Sequence, residues 1–173
     1  MNTWEVTPYE YSHGGNVDTQ ESLIYPGLYA PSQYNVMQIL VHIYNRPDKK
    51  VDLGPVDASC PIVLCDMMEP DQPIIYASDA FLYLTGYSSG EVLGRNCRFL
   101  QAPGGKVKPK STRKHVDKDT IRRMRKAVEK QAELQVEVVN FKKNGQRFVN
   151  LLTMIPVSMD GRAFCVGFQS ERE

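Results

Sequence analysis

From residue 34 onward the apolar residues fall into short groups, some spaced as on one face of a helix and others bunched or alternating as in strands. In YNVMQILVHIY, residues 34–44, Val36, Ile39, Leu40 and Ile43 recur at helical spacing and Pro47 stands just beyond as a stop. The spacing predicts one amphipathic helix over 34–46, with an apolar face that needs a partner. Residues 1–33 are polar, lack periodicity and end in Pro26, Gly27, Pro31 and Ser32, the pattern of an extended arm. NRPDKKVDLGPVDAS, residues 45–59, reads as a linker by its prolines, glycine and aspartates. The first 59 residues therefore form an N-terminal cap, and a compact domain is expected over 60–173.

Within that domain PIVLCD (61–66) and PIIYA (73–77) are β-rich runs on either side of the turn-like EPDQ. Ser78 or Asp79 can cap FLYLTGY, Ser88 or Ser89 the next turn, and Arg95 to Leu100 form a third short helix. Asp119 or Thr120 can cap the longer helix IRRMRKAVEKQ, and strands follow at 133–141, 147–157 and 162–170. The expected class is α+β, built on one five-stranded antiparallel sheet.

Asn140 and Asn150 each interrupt an apolar strand face, and hairpin parity predicts where they point. Lys143-Asn144-Gly145 suits a three-residue loop in which Gly145 supplies the left-handed position. Closing that loop with Lys142 opposite Gln146 pairs Val138 with Asn150 and Phe148 with Asn140. Both amides then share a face with Val136, Leu152 and Met154. Asp160-Gly161 favours a two-residue loop with Met159 opposite Arg162, which pairs Leu152 with Gln169 and adds a third carboxamide to that face. A buried unpaired amide costs about 1–3 kcal/mol, so three of them on an apolar surface imply a ligand with a polar edge. A flat heterocycle with alternating donors and acceptors has that shape. A loop one residue longer would swap the faces.

Composition narrows the class further. The 173 residues are 42% hydrophobic and 24% charged, ordinary for a globular chain. The net charge of +1 hides an uneven distribution: residues 106–126 hold ten Lys/Arg against Asp117 and Asp119, a local +8 that leaves −7 for the rest. Residues 1–24 contribute four acids and no base. Such a cationic segment faces phosphate, anionic lipid or water. It has no interleaved aromatics, so direct nucleic-acid binding is not expected. No apolar run reaches the roughly 18 residues of a membrane span, and MNTWEVTPYEYSHGG lacks the features of a secretory signal. A cytoplasmic or nuclear protein with reduced thiols is expected. Cys60, Cys65, Cys97 and Cys165 contain no CxxC pair, so no metal site is expected.

A lone cysteine on an apolar helix is usually a small core residue, but Cys97 lies in GRNCRFLQ, residues 94–101. That segment closely resembles the signature of the light-oxygen-voltage (LOV) family, flavin-binding blue-light sensors of the PAS fold. The resemblance runs through PIIYASDAFLYLTGYSSGEVLGRNCRFLQ, VEVVNFKKNGQRFVNLLTMIPV and VGFQ, covering roughly residues 60–170. LYAPSQYNVMQ, VDLGPVDASC and the lysine-rich GGKVKPKSTRKHVD are similar to small fungal members of the Vivid/Envoy type, with Envoy the nearer. Cys65 follows that fungal pattern where many plant members carry threonine.

The resemblance implies a PAS sheet and short helices wrapped around a flavin, with an N-terminal cap helix, and a sensor rather than an enzyme. It makes Cys97 the photoactive thiol, whose sulfur forms a reversible photoadduct at flavin C4a while N5 gains a proton. Asn140 and Asn150 would hold the pyrimidine edge, and Gln169 would reach O4 and N5 and rotate its amide when N5 changes from acceptor to donor. Asn96 and Gln101 would contact the ribityl chain, Arg98 the phosphate, and Arg125 occupies the position of a second phosphate arginine. Val63 and Ile74 would line the pocket and affect adduct lifetime. The long connection from Ala102 to Lys118 favours FAD, with Lys108, Lys110 and Arg113 as pyrophosphate or adenine contacts, and FMN is the alternative.

Output is expected through a changed surface: release of residues 28–58, light-dependent homodimerisation, and binding to a white-collar-type transcription factor that damps light-induced transcription. A flavin-dependent redox enzyme or a thiol redox sensor is the competing class. Against the enzyme, no GxGxxG follows a strand, and the histidines, His13, His42 and His115, offer Cys97 no evident partner.

Overall fold

The computed structural model describes residues 35–57 and 59–172. The expected arm over 1–33 and the first residue of the expected cap helix lie outside the described residues. Helix α1 runs Val36–Asn45, shorter at both ends than the periodicity implied, because Asn35 caps it by accepting from Gln38 N and Arg46 precedes Pro47 in extended backbone. Val36, Ile39 and Ile43 are buried on its inner face.

The strands are β1 Ile62–Asp66, β2 Ile74–Ala77, β3 Leu134–Phe141, β4 Arg147–Met159, β5 Arg162–Phe168 and β6 Glu171–Arg172. The antiparallel order is β2-β1-β5-β4-β3, and β6 pairs with β4. Five strands were expected and the sixth is the resumption of β5. Its pairs, Val149 with Arg172 and Asn150 with Glu171, keep the register of Thr153 with Phe168. The ladder is interrupted between them because the Asn150 side-chain oxygen accepts the Ser170 N–H and Gln169 N donates to Pro61 O on the other side.

Both hairpins close as parity required. Phe141 pairs with Arg147, Lys142 N donates to Gln146 O, and Gly145 sits at φ 86°. Met159 pairs with Arg162 across Asp160-Gly161. Val138 stands opposite Asn150 and Asn140 opposite Phe148.

The sheet separates two apolar layers. Ile62 and Leu64 of β1 pack with Ile155, Val157, Phe164 and Val166 against Ile39 and Ile43 of α1, and Leu53 and Val56 of the linker and the adjoining Cys60 extend this layer. Their neighbours Val63 and Cys65 point the other way, as strand alternation demands, toward Ile74, Phe81, Tyr87, Val92, Phe99 and Leu100. Three short helical elements make that second layer: α2 Asp79–Thr85, α3 Ser89–Val92 and a 3-10 turn over Cys97–Gln101. Ser78 caps α2 and Gly86, at φ 75°, ends it. Helix α4 spans Lys118–Glu129 and begins ahead of the expected caps, because Asp117 has extended backbone and its carboxylate accepts from Thr120 N. Asp119 falls in the first turn, where a negative charge suits the helix dipole.

Candidate functional site

Between the inner sheet face, the Cys97–Gln101 turn and α4 lies a cavity of about 350 Å³, within the range of small-molecule sites. The sheet supplies its polar wall. Asn140, Asn150 and Gln169 all line it beside Val138, Leu152, Met154 and Gly167. Val136 and Phe148 share the face and are buried, but stand off the cavity. Asn150, 1% exposed, donates to Asn140 Oδ1 at 2.9 Å, and Asn140 has only the Val139 carbonyl for its own N–H. Gln169 is 6% exposed and its Oε1 has no hydrogen-bond partner. Gly167 leaves that amide its room: a Cβ there would stand 3.1 Å from both Gln169 Nε2 and Val63 Cγ2.

Opposite, the 3-10 turn presents Cys97, capped by Asn96, whose Oδ1 accepts from Arg98 N. Cys97 Sγ is 3.5 Å from Cys65 Sγ, and Cys165 also lines the cavity. The hydrogen bond to Cys97 and burial push the Cys65 thiol well up, and burial, with Cys97 nearby, pushes Cys165 up to about 12. These two stay protonated at neutral pH and are poor nucleophiles.

The far end is cationic. Arg98, Arg113 and Arg125 line it together with Gln101 and Glu129. Burial and the charges of Arg98 and Arg125 hold the Arg113 pKa below its ordinary value. Arg113 Nε and Gln101 Oε1 are buried without partners. Three arginines beside one lining carboxylate, Glu129, with Arg113 Nε an open donor, make the chemistry of a phosphate site. The orphaned polar atoms at the two ends, Gln169 on the sheet and Arg113 and Gln101 at the mouth, fit a ligand with a hydrogen-bonding ring edge and an anionic tail.

Other expected contacts are arranged differently. Ile74 is fully buried and packs in the same layer as Val63, but lies on the edge strand β2 and does not line the cavity, whereas Val63 does. Lys108 and Lys110 are exposed and off the cavity, because a tight turn, closed by Ser111 Oγ donating to Lys108 O, holds them at the surface. Gln72, Ile121, Met124 and Val128 line the cavity without having been anticipated. The α4 residues were available as an i, i+3, i+7 stripe with Arg125 beside it, and Gly167 as a glycine inside a strand, a mark of close approach.

Comparison with known proteins decides the family. The PAS domain family matches residues 59–170. A crystal structure of the photo-excited blue-light photoreceptor Vivid is 64% identical, with a TM-score of 0.79, over 83% of this chain and 99% of that one. A fungal LOV domain photoreceptor, described as integrating blue light and oxidative stress, is 44% identical with a TM-score of 0.72, over 84% and 99%.

The chain belongs to the fungal LOV photoreceptors of the PAS family.

Blue light receptor lreA of Aspergillus flavus is 44% identical over 151 residues, 86% of this chain but 18% of lreA, so the LOV chain spans under a fifth of that relative's length. Vivid has also been solved as a light-state dimer, 62% identical with a TM-score of 0.78, over 84% and 99%. LOV photoreceptors bind a flavin chromophore. No helix among the described residues is long and apolar enough to cross a membrane.

Proposed function

We propose that the cavity holds a flavin with its ring between Cys97 and the sheet, and that the protein senses blue light through that thiol. The observation that carries this reading is the convergence of Cys97, Asn140, Asn150 and Gln169 on one cavity, with the Gln169 carbonyl unpaired. When bound, a flavin supplies a blue-absorbing excited state, a ring carbon C4a that accepts a thiol sulfur, and a neighbouring nitrogen N5 that accepts the thiol proton. With a flavin bound, Cys97 would supply both the sulfur and the proton, so no external oxidant would be needed. Asn140 and Asn150 hold the pyrimidine edge. Gln169, whose Oε1 is unpartnered, would serve N5 and O4 and would reverse its amide if N5 became a donor. Asn96 and Gln101 serve the ribityl chain, and Val63 packs against the ring.

The cofactor is FAD. Arg113, inside the long connection, is half-buried at the cavity with Arg98 and Arg125 and has an open Nε, a place for a second phosphate. Arg113→Ala is expected to weaken FAD about tenfold while leaving FMN within about twofold, the value of one charge-assisted hydrogen bond. Titration of the flavin-free protein with each cofactor measures this, and equal losses for both would place Arg113 at the phosphate the two flavins share and remove its support for FAD.

Output runs from Gln169 to the cap. Gln169 N donates to Pro61 O, next to Cys60, whose carbonyl accepts from Ser78 Oγ and whose thiol lies 3.9 Å from Asp57 Oδ1 in the linker. Reversal of the Gln169 amide loosens this junction and frees residues 28–58, exposing a surface for a second copy of the chain or for a white-collar-type transcription factor, and so damps light-induced transcription in the nucleus or cytoplasm. The working units are the cap, 1–59, and the sensor, 60–173, with its cofactor connection 102–118. Gln169→Leu is expected to keep the Cys97 photoreaction but lose any light-dependent shift in gel-filtration volume. A shift that persists in Gln169→Leu would remove Gln169 from the output path.

A second reading rests on the 3.5 Å separation of Cys65 and Cys97. Hydrogen peroxide would convert the two thiols to a disulfide and two waters, silencing Cys97 and making the site a thiol redox sensor. The raised Cys65 pKa opposes this by keeping thiolate scarce.

A further inference from the structure

Asn96 and Arg98, both expected to face the cofactor, are also tied to the loop between β1 and β2. Asn96 Nδ2 donates to the Asp71 carbonyl at 2.6 Å, and Arg98 Nη2 pairs with the Asp71 carboxylate. Arg98 Nε meanwhile donates to Val107 O at 3.2 Å. Two points of its fork are thus anchored, one on the β1–β2 loop and one on the long connection, and its remaining N–H groups are left for an anion. Arg98 itself is largely buried, with its side chain 11% exposed, whereas the Asp71 side chain is 48% exposed.

The loop they hold is drawn over the cavity. Gln72, next to Asp71, lines it along with Met67. Asp71 and Gln72 are consecutive non-glycine residues at positive φ, 66° and 48°. Left-handed backbone at two such positions carries a cost that persists only where surrounding interactions impose it. The imposed interactions are the Asn96 and Arg98 bonds and Gln72 N donating to Glu69 O.

We infer that Asp71 is a positioning residue for the anionic end of the cavity: it fixes the Arg98 fork and straps the Met67–Gln72 loop over the mouth, setting how fast the cofactor enters and leaves. This rests on the flavin reading above. Asp71 reaches the turn that presents Cys97 only through its backbone carbonyl on Asn96, which both variants keep, so the Cys97 reaction is expected to be unchanged. A pure competitor for Arg98 would act oppositely, since removing it would slow release.

The test is the rate of flavin uptake and release, followed by fluorescence, in wild type, Asp71→Gly and Asp71→Asn. Glycine removes the carboxylate while accepting positive φ, and asparagine keeps both the left-handed preference and one oxygen acceptor. Uptake and release are both expected about tenfold faster in Asp71→Gly, with an intermediate increase in Asp71→Asn, the scale of one charge-assisted bond. Affinity changes much less than either rate, and blue-light bleaching is unaltered. Hydrogen exchange at the amides of residues 69–72 should rise in the same order. Unchanged or slower release in Asp71→Gly overturns the inference, as does acceleration in glycine with asparagine at the wild-type rate, which would assign the effect to backbone freedom. If neither wild type nor variant takes up flavin, the flavin reading fails, while hydrogen exchange still reports whether Asp71 holds the loop.

Discussion

Cys97→Ala is expected to bind flavin at wild-type affinity and to lose blue-light bleaching by at least a hundredfold, the order at stake when a positioned reactant is removed. Affinity is carried elsewhere, by the three carboxamides on the sheet and the arginines at the mouth, none of which bonds to the Cys97 side chain. Alanine preserves the 3-10 turn, since its cap is the Asn96 side chain and its buried members are Phe99 and Leu100. The thiol within hydrogen-bond reach of Cys97 is Cys65, at 3.5 Å. It lies on β1, away from the turn that presents Cys97, so it is not expected to take over. Bleaching that survives in Cys97→Ala and disappears in the Cys97→Ala, Cys65→Ala double variant would move the reactive role to Cys65.

The second large effect concerns the cap. Arg46, at the end of α1, pairs with Glu133 at 2.6 Å, and the two side chains are only 10% and 11% exposed. The pair is fully bonded: Arg46 also donates to Ile43 O and Val51 O, and Glu133 also accepts from the Lys50 and Val51 N–H groups. One carboxylate just before β3 thus holds both the end of α1 and the start of the linker. Glu133→Ala leaves a guanidinium and two N–H groups short of their partner and is expected to cost about 3 kcal/mol. Because α1 and the linker form their own layer on the outer sheet face, that loss is expected as early protease cleavage and rapid hydrogen exchange over residues 36–57. The sensor domain is expected to keep its flavin.

Acid should act on the same contact. Burial tends to raise the Glu133 pKa, but the Arg46 bond and the Val51 and Lys50 N–H groups outweigh it and hold the carboxyl below its ordinary value. The contribution of Glu133 is therefore complete above the normal glutamate range and is lost as pH falls through the depressed value. Cap protection that is flat from neutrality down to pH about 5 and then falls is expected in wild type, and this acid limb should be missing in Glu133→Gln. An identical limb in both would assign the acid sensitivity to another group, of which Asp66, paired with Arg162 and also held low, is one.

What the sequence revealed and what it withheld divide along physical lines. Strand register was legible because side chains alternate with a period of two and short turns fix the count. Gly145 and Asp160-Gly161 thus place Asn140, Asn150 and Gln169 on one face from sequence alone. The continuation of β5 into β6 was not legible, because it depends on the Asn150 side chain taking the Ser170 N–H, a contact between distant residues. Charge was a poor guide within the long connection. Arg113, Lys108 and Lys110 are indistinguishable by composition, yet a turn at Ser111 keeps the lysines outside while Arg113 is half-buried at the cavity. The Asp71 and Glu133 anchors were invisible for the same reason as β6: each joins segments 25 or more residues apart through one carboxylate or carbonyl.

The absorption spectrum of the purified full chain, recorded in the dark, under blue light and during return to darkness, reads the reaction of Cys97 with a bound flavin. A flavin band that is lost under blue light, through Cys97, and recovers fully in the dark is expected. A preparation that carries and takes up no flavin, or a bound flavin whose spectrum blue light leaves unchanged, would contradict it.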